Sequence, residues 1–201
     1  MKKLVRNSML VGAAVLGIGS LGTVAQAATT PEPTTPTTPV TSEATAEITP
    51  GTITLSSSPS FQFGKVEASA NDVSYNSTSV SGDLKIADVG TGTGYTVTVA
   101  ASPFTAKGGA ALKNAQLILN NKEVTPIKAD DADNVSTPPT LVTNLTLSSS
   151  PVTVLNAAAG SGVGAYTGTY GATDASLKVP AGNIGGTYSS TLTWTLANAP
   201  A

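Results

Sequence analysis

The stretch Tyr95-Thr96-Val97-Thr98-Val99-Ala100 alternates bulky apolar side chains with Thr at a period of two, and this period constrains the fold more than any other feature. In an extended strand successive side chains point to opposite faces, so Tyr95, Val97 and Val99 share one face while Thr96 and Thr98 share the other. Near the end of the chain Leu192-Thr193-Trp194-Thr195-Leu196 repeats the pattern, with Tyr188 placed on the same apolar face. Each run is expected to bury one face and line the other with Thr. From Ile48 onward short runs of this kind recur between clusters of Gly, Pro, Asn and Asp. Such punctuation predicts an all-β fold, a single β-sandwich or barrel-like domain. Its strands are expected at 52–56, 61–66, 84–88, 95–100, 115–120, 141–147, 176–179 and 188–196. Residues 107–121 include good helix formers, but Gly108-Gly109 and the Asn residues interrupt them, and Gln116-Leu117-Ile118-Leu119 is read as strand. Residues 160–171 are too Gly-rich for a core strand and are read as a mobile loop that carries Tyr166 and Tyr170.

Ahead of the β pattern the chain has a different character. Lys2, Lys3 and Arg6 form a basic head, an apolar run follows from Met9 to Val24, and Ala25-Gln26-Ala27 satisfies the small-residue cleavage rule. Residues 1–27 are therefore read as a secretory signal peptide. The rival reading, an uncleaved membrane anchor, is opposed by a run that is short and Gly-rich for a spanning helix. Residues 28–50 are rich in Thr and closely spaced Pro, which favours extended polyproline II and offers no apolar face. They are expected to be a disordered, semi-rigid spacer; a modification site or an ordinary disordered tail fits the same composition. Residues 51–201 remain as the β domain, about 150 residues and long enough for a substantial core.

Charge and composition close off several functions. Without the leader, seven Lys face twelve acidic groups, a net charge of −5, and no Arg remains. A nucleic-acid partner is excluded on that ground, because displacing counterions from a phosphate backbone needs a basic face. No membrane insertion is expected after leader cleavage, since no second apolar stretch approaches spanning length and no basic patch is present. The chain has neither Cys nor His. Disulfides, thiolate nucleophiles, the usual zinc sites and His-based acid–base chemistry are thereby ruled out, and no cofactor or metal is expected.

The run from Tyr188 to Pro200, Tyr-Ser-Ser-Thr-Leu-Thr-Trp-Thr-Leu-Ala-Asn-Ala-Pro, resembles the proximal signature of the WxL surface proteins of low-GC Gram-positive bacteria. That signature reads Tyr, three variable residues, an aliphatic, Thr, Trp, any residue, Leu, three variable residues and Pro. Tyr188, Leu192, Thr193, Trp194, Leu196 and Pro200 occupy its fixed positions. Phe61-Gln62-Phe63-Gly64 is similar to an early Phe-Gly strand of the family, and residues 87–99 are similar to the segment bearing its distal Trp-x-Val motif. Here Tyr95 stands for the Trp, with Val97 in place, and Val89 stands where members carry Arg. The resemblance implies a secreted protein at the cell surface, held non-covalently on peptidoglycan or another wall polymer. It also implies assemblies with other WxL or companion surface proteins, with adhesion as a later elaboration.

Individual residues carry two readings each. An exposed Trp194 would stack on sugar C–H surfaces, whereas a buried one would anchor the core, as its strand partners Leu192 and Leu196 suggest. Tyr95 divides the same way, and Tyr166 and Tyr170 are candidate surface contacts on their loop. Asp130, Asp131, Asp133 and Asn134 offer oxygens for Ca²⁺, but the loop lacks the Gly and distal Glu of an EF-hand and is read as a solvated acidic turn. The carboxylates of Glu67, Asp72, Asp83, Asp88, Glu123 and Asp174 lie in no recognisable catalytic motif, so the chain is not expected to be an enzyme.

Overall fold

The computed structural model describes residues 39–198. The chain divides into two units, Met1–Thr45 and Ala46–Ala201. The expected signal peptide, residues 28–38 of the spacer, and Pro200 lie outside the described residues, while residues 39–50 are exposed and form neither strand nor helix.

The second unit is nearly all β, as the alternating runs require. Among the described residues three four-stranded antiparallel sheets carry it. The first orders β1 (Ile53–Ser57), β5 (Leu84–Asp88), β13 (Gly164–Gly168) and β9 (Lys128–Ala129). A second orders β10 (Thr140–Leu141), β12 (Val152–Ala157), β6 (Tyr95–Ala101) and β16 (Leu192–Asn198). The third orders β11 (Leu145–Leu147), β8 (Gln116–Leu119), β14 (Ala175–Val179) and β3 (Val73–Asn76). Two short ribbons complete the set, β2 (Ser60–Gln62) with β4 (Ser79–Ser81), and β7 (Thr105–Ala106) with β15 (Tyr188–Ser189).

One core serves all three sheets: Leu84, Ile86 and Tyr166 come from the first, Tyr95, Val97, Val99, Val154 and Leu155 from the second, and Leu117, Leu119 and Ala175 from the third. In β6 every second residue is buried, from Tyr95 through Val97 and Val99 to Ala101, and the residues between are half-buried. The Gln116 to Leu119 run is a strand, and the stretch expected at 84–88 forms over those residues.

Four expectations need correction. The strand expected at 61–66 ends at Gln62, because the chain leaves the ribbon and Gly64 takes a left-handed φ of 65°. The single strand expected at 141–147 is two, β10 and β11, in different sheets, because Asn144 takes a left-handed φ of 57° and turns the chain. The strand expected at 188–196 is broken at Ser190-Thr191. There the Ser102 N–H donates to the Thr191 carbonyl (2.9 Å) and the Ser190 hydroxyl to the Ser102 carbonyl (2.6 Å), so the chain steps from the β7–β15 ribbon into the second sheet. Residues 160–171 are not one mobile loop, since β13 pairs with both β5 and β9 inside them. Its Gly168 stands where a β-carbon would sit 3.1 Å from Val124 Cγ2, so the residue that reads as a strand breaker is a close-packing residue.

Candidate functional site

The two motif segments are hydrogen-bonded neighbours. β16 runs antiparallel to β6 with Trp194 opposite Val99, Leu196 opposite Val97 and Asn198 opposite Tyr95. Residues about a hundred positions apart thus form one continuous surface, whose inward side is the apolar one. Trp194 and Leu196 are half-buried and packed against the core, Tyr95 and Val97 are fully buried, and Thr193 is exposed on the outer face. The core reading therefore describes where Trp194 and Tyr95 sit.

Both rings are fitted to their places. The Tyr95 hydroxyl donates to the Gly162 carbonyl at 3.3 Å, and Gly162, at φ 72°, presses so close that a β-carbon would lie 2.9 Å from that oxygen. Burial pushes the Tyr95 phenol above its usual pKa, with Tyr166 and then Asp88 adding to the shift. The Trp194 indole meets Tyr170 edge to face at 6.4 Å, and Tyr170 meets Phe61 in the same way at 5.6 Å. Trp194 Nε1 and the Tyr170 hydroxyl are buried with no hydrogen-bond partner among the described residues. Burial raises the Tyr170 phenol pKa, and Asp174 adds to it.

Tyr166 and Tyr170 were expected to offer a surface contact, and their burial corrects that. Tyr166 is 0 % exposed with its hydroxyl on the Ser136 carbonyl (3.2 Å), and Tyr170 is 5 % exposed. The Gly residues around them accommodate close packing instead of exposing the rings.

A concave surface does exist where β15 hands over to β16. It is a cavity of about 540 Å³ to which all three Phe of the chain, Phe61, Phe63 and Phe104, contribute, together with Tyr75 and Tyr188. Leu117, Leu177 and Leu192 line it as well, so the motif supplies both an aromatic and an aliphatic wall. The two Tyr hydroxyls hold its rims. Tyr75 donates to the Glu67 carbonyl at 2.7 Å, and Tyr188 to the Ile184 carbonyl at 2.9 Å. Further ties brace the same loops: Asp72 accepts the Ala181 N–H (3.0 Å), while the Asn183 amide exchanges hydrogen bonds with the Lys113 backbone at 2.7 and 3.0 Å. The charged residues lining the cavity are Lys65 and Glu67, one of each sign. Sequence reasoning noted Phe61 and Phe63 for their family likeness but did not find the cavity. The available signal was that all three Phe stand outside the well-alternating strands.

The buried acids serve local structure. Asp88 accepts the N–H groups of Thr91 (2.7 Å) and Gly92 (3.2 Å), and Asp174 those of Gly171 (2.7 Å) and Glu123 (2.8 Å). In the acidic loop Asp131 accepts the Asp133 N–H at 2.9 Å, and the Asn134 amide joins Ser136 to the Val163 carbonyl. No group of three or more His, Cys, Asp or Glu side chains is gathered for a metal among the described residues.

An antiparallel β domain whose C-terminal strand both closes the core and shapes an aromatic cavity is the class of protein defined by this geometry. A family model described as WxL domain, surface cell wall-binding, matches residues 18–200, and the chain belongs to that family. No curated protein and no solved structure gave a significant match. Among the described residues no helix is long and apolar enough to cross a membrane.

Proposed function

We propose that the protein is exported by its leader and attaches non-covalently to the peptidoglycan of a Gram-positive wall through the β domain. It acts there as a binding module and not as an enzyme, with no cofactor. The observation that carries this reading is the pairing of β6 with β16 in a chain of a surface cell wall-binding family. Tyr95 and Val97 of one segment and Leu192, Trp194 and Leu196 of the other lie on one inward surface, and Tyr188 and Leu192 carry it to the edge of an aromatic cavity. The test is sedimentation of the full chain with protein-free peptidoglycan sacculi. Co-sedimentation that resists high salt is the expected result, because the domain's charge gives it no electrostatic hold on a polyanion. A protein that stays in the supernatant overturns direct attachment.

A second reading, attachment through a companion surface protein or another WxL protein, is favoured by one observation. Among the described residues β16 is an edge strand that pairs with β6 alone, and Leu192-Thr193-Trp194-Thr195-Leu196-Ala197-Asn198 contains neither Lys nor Pro. Edge strands without such protection accept a strand from another chain. Sedimentation that requires an added wall extract would select this reading.

A further inference from the structure

We infer that the aromatic cavity between the β7–β15 ribbon and the third sheet is a saccharide site. It takes a short stretch of an uncharged acetamido-sugar chain, and the inference rests on the wall-attachment reading above. The chain has few aromatic residues, three Phe, five Tyr and one Trp, and five of the nine line this one concavity. A fold that needed them only for packing would hold them inside. Tyr75 and Tyr188 instead stand half-exposed and outside the core cluster, although each is fixed by a hydrogen bond from its hydroxyl to a rim carbonyl. A ring held rigidly at a surface is a preorganised platform, and its ordering cost is met before any ligand arrives.

The lining also states what kind of ligand fits. Pyranose rings present apolar C–H faces that lie on aromatic rings, and their acetamido groups need amide partners. The exposed side-chain amides of Gln62 and Asn71 sit on the same lining, and neither forms a hydrogen bond to another described residue. Lys65 and Glu67 cancel in charge, which suits a neutral glycan strand and not a polyanionic wall polymer. The cavity, about 540 Å³, falls in the size range of small-molecule sites, which suits a short segment of a glycan chain.

The site also explains how the C-terminal signature reaches a ligand it does not bury. Leu192 and Tyr188 line the cavity directly, and Trp194 supports its Phe61 wall from behind through Tyr170. On this account Trp194 packs behind the cavity as part of the core, while Tyr75, which lies outside the signature, is a contact residue.

The experiment is a titration of the full chain with the hexamer of N-acetylglucosamine, followed by amide chemical shifts. Wild type is expected to show shifts concentrated at Asn71, Asn183 and the Gly185-Gly186 loop. Tyr75→Ala is expected to weaken binding at least about tenfold, and Tyr75→Phe, which keeps the ring but loses the hydroxyl that fixes it, to weaken it less, by about threefold. No shifts at the cavity, or Tyr75→Ala with a native spectrum and wild-type affinity, overturns the saccharide site. Tyr188→Ala gives a second arm, judged only where its spectrum is native. A cavity that ignores the hexamer but responds to a soluble stem peptide overturns the ligand class. Sacculus sedimentation of the same proteins separates the two levels: wild type and Tyr75→Ala both sedimenting refutes the site and leaves wall attachment standing, whereas wild type failing to sediment refutes wall attachment itself.

Discussion

The inward face of β6 and β16 and the cavity beside β15 use the same aromatic chemistry to opposite ends. On the inward face Tyr95 has lost all contact with solvent, as has Tyr166 of β13 in the same core, and each hydroxyl is satisfied by a backbone carbonyl. In the cavity Tyr75 and Tyr188 also give their hydroxyls to carbonyls, but to those of rim loops, and the rings stay half-exposed. The hydrogen bond is the same and its consequence differs. In the core it removes the penalty of burying a phenol, whereas at the rim it holds a ring in place for a partner. A sequence signature that contributes to both regions, with Leu196 inside and Tyr188 at the rim, therefore mixes building and binding residues.

The largest test of that division is Tyr95→Ala. Its ring is fully buried and its loss leaves a cavity and an unpaired Gly162 carbonyl, so unfolding by denaturant should show about 4 kcal/mol lost. A loss near 1 kcal/mol would break the comparison at its core end. Alkaline pH approaches the same residues by another route. The phenols of Tyr95 and Tyr170 have raised pKa values in the folded state, so their contribution is complete below the unfolded Tyr value of about 10 and fades as pH rises beyond it. Ultraviolet titration, compared with Tyr95→Phe and Tyr170→Phe, should show the phenols of Tyr95 and Tyr170 resisting ionisation until the fold is lost, and their ionising near pH 10 in the folded protein would contradict it. The smallest effect belongs to the rim, where Tyr75→Ala should cost no more than about 1 kcal/mol because the ring is outside the core cluster. A cost as great as that of Tyr95→Ala would merge the two regions into one.

Sequence revealed the inward face better than the cavity, for physical reasons visible in particular strands. β6 is central and alternating, so the period alone places Tyr95, Val97 and Val99 inside. β12 escaped because its register shifts between Thr153 and Leu155, which buries Val154 and Leu155 together and breaks the period. β13 escaped because Gly164 and Gly168 bound it, and a glycine chosen for close approach looks in sequence like a glycine chosen for a turn. The cavity was invisible for a third reason. Phe61, Tyr75, Phe104 and Tyr188 come from four short strands and loops whose meeting depends on the chain crossing between sheets at Ser102 and Thr191, and no local period encodes such a crossing.

Trp194 is where the account is most exposed to refutation, because it is the residue of the signature with the clearest claim to direct wall contact. The decisive measurement is chemical denaturation of Trp194→Ala beside its sedimentation with sacculi. The packing of the indole against the core and Tyr170 predicts a loss of about 3 kcal/mol, with wall binding falling in step with the folded fraction. Wild-type stability combined with abolished sedimentation would contradict it and make Trp194 itself the wall contact.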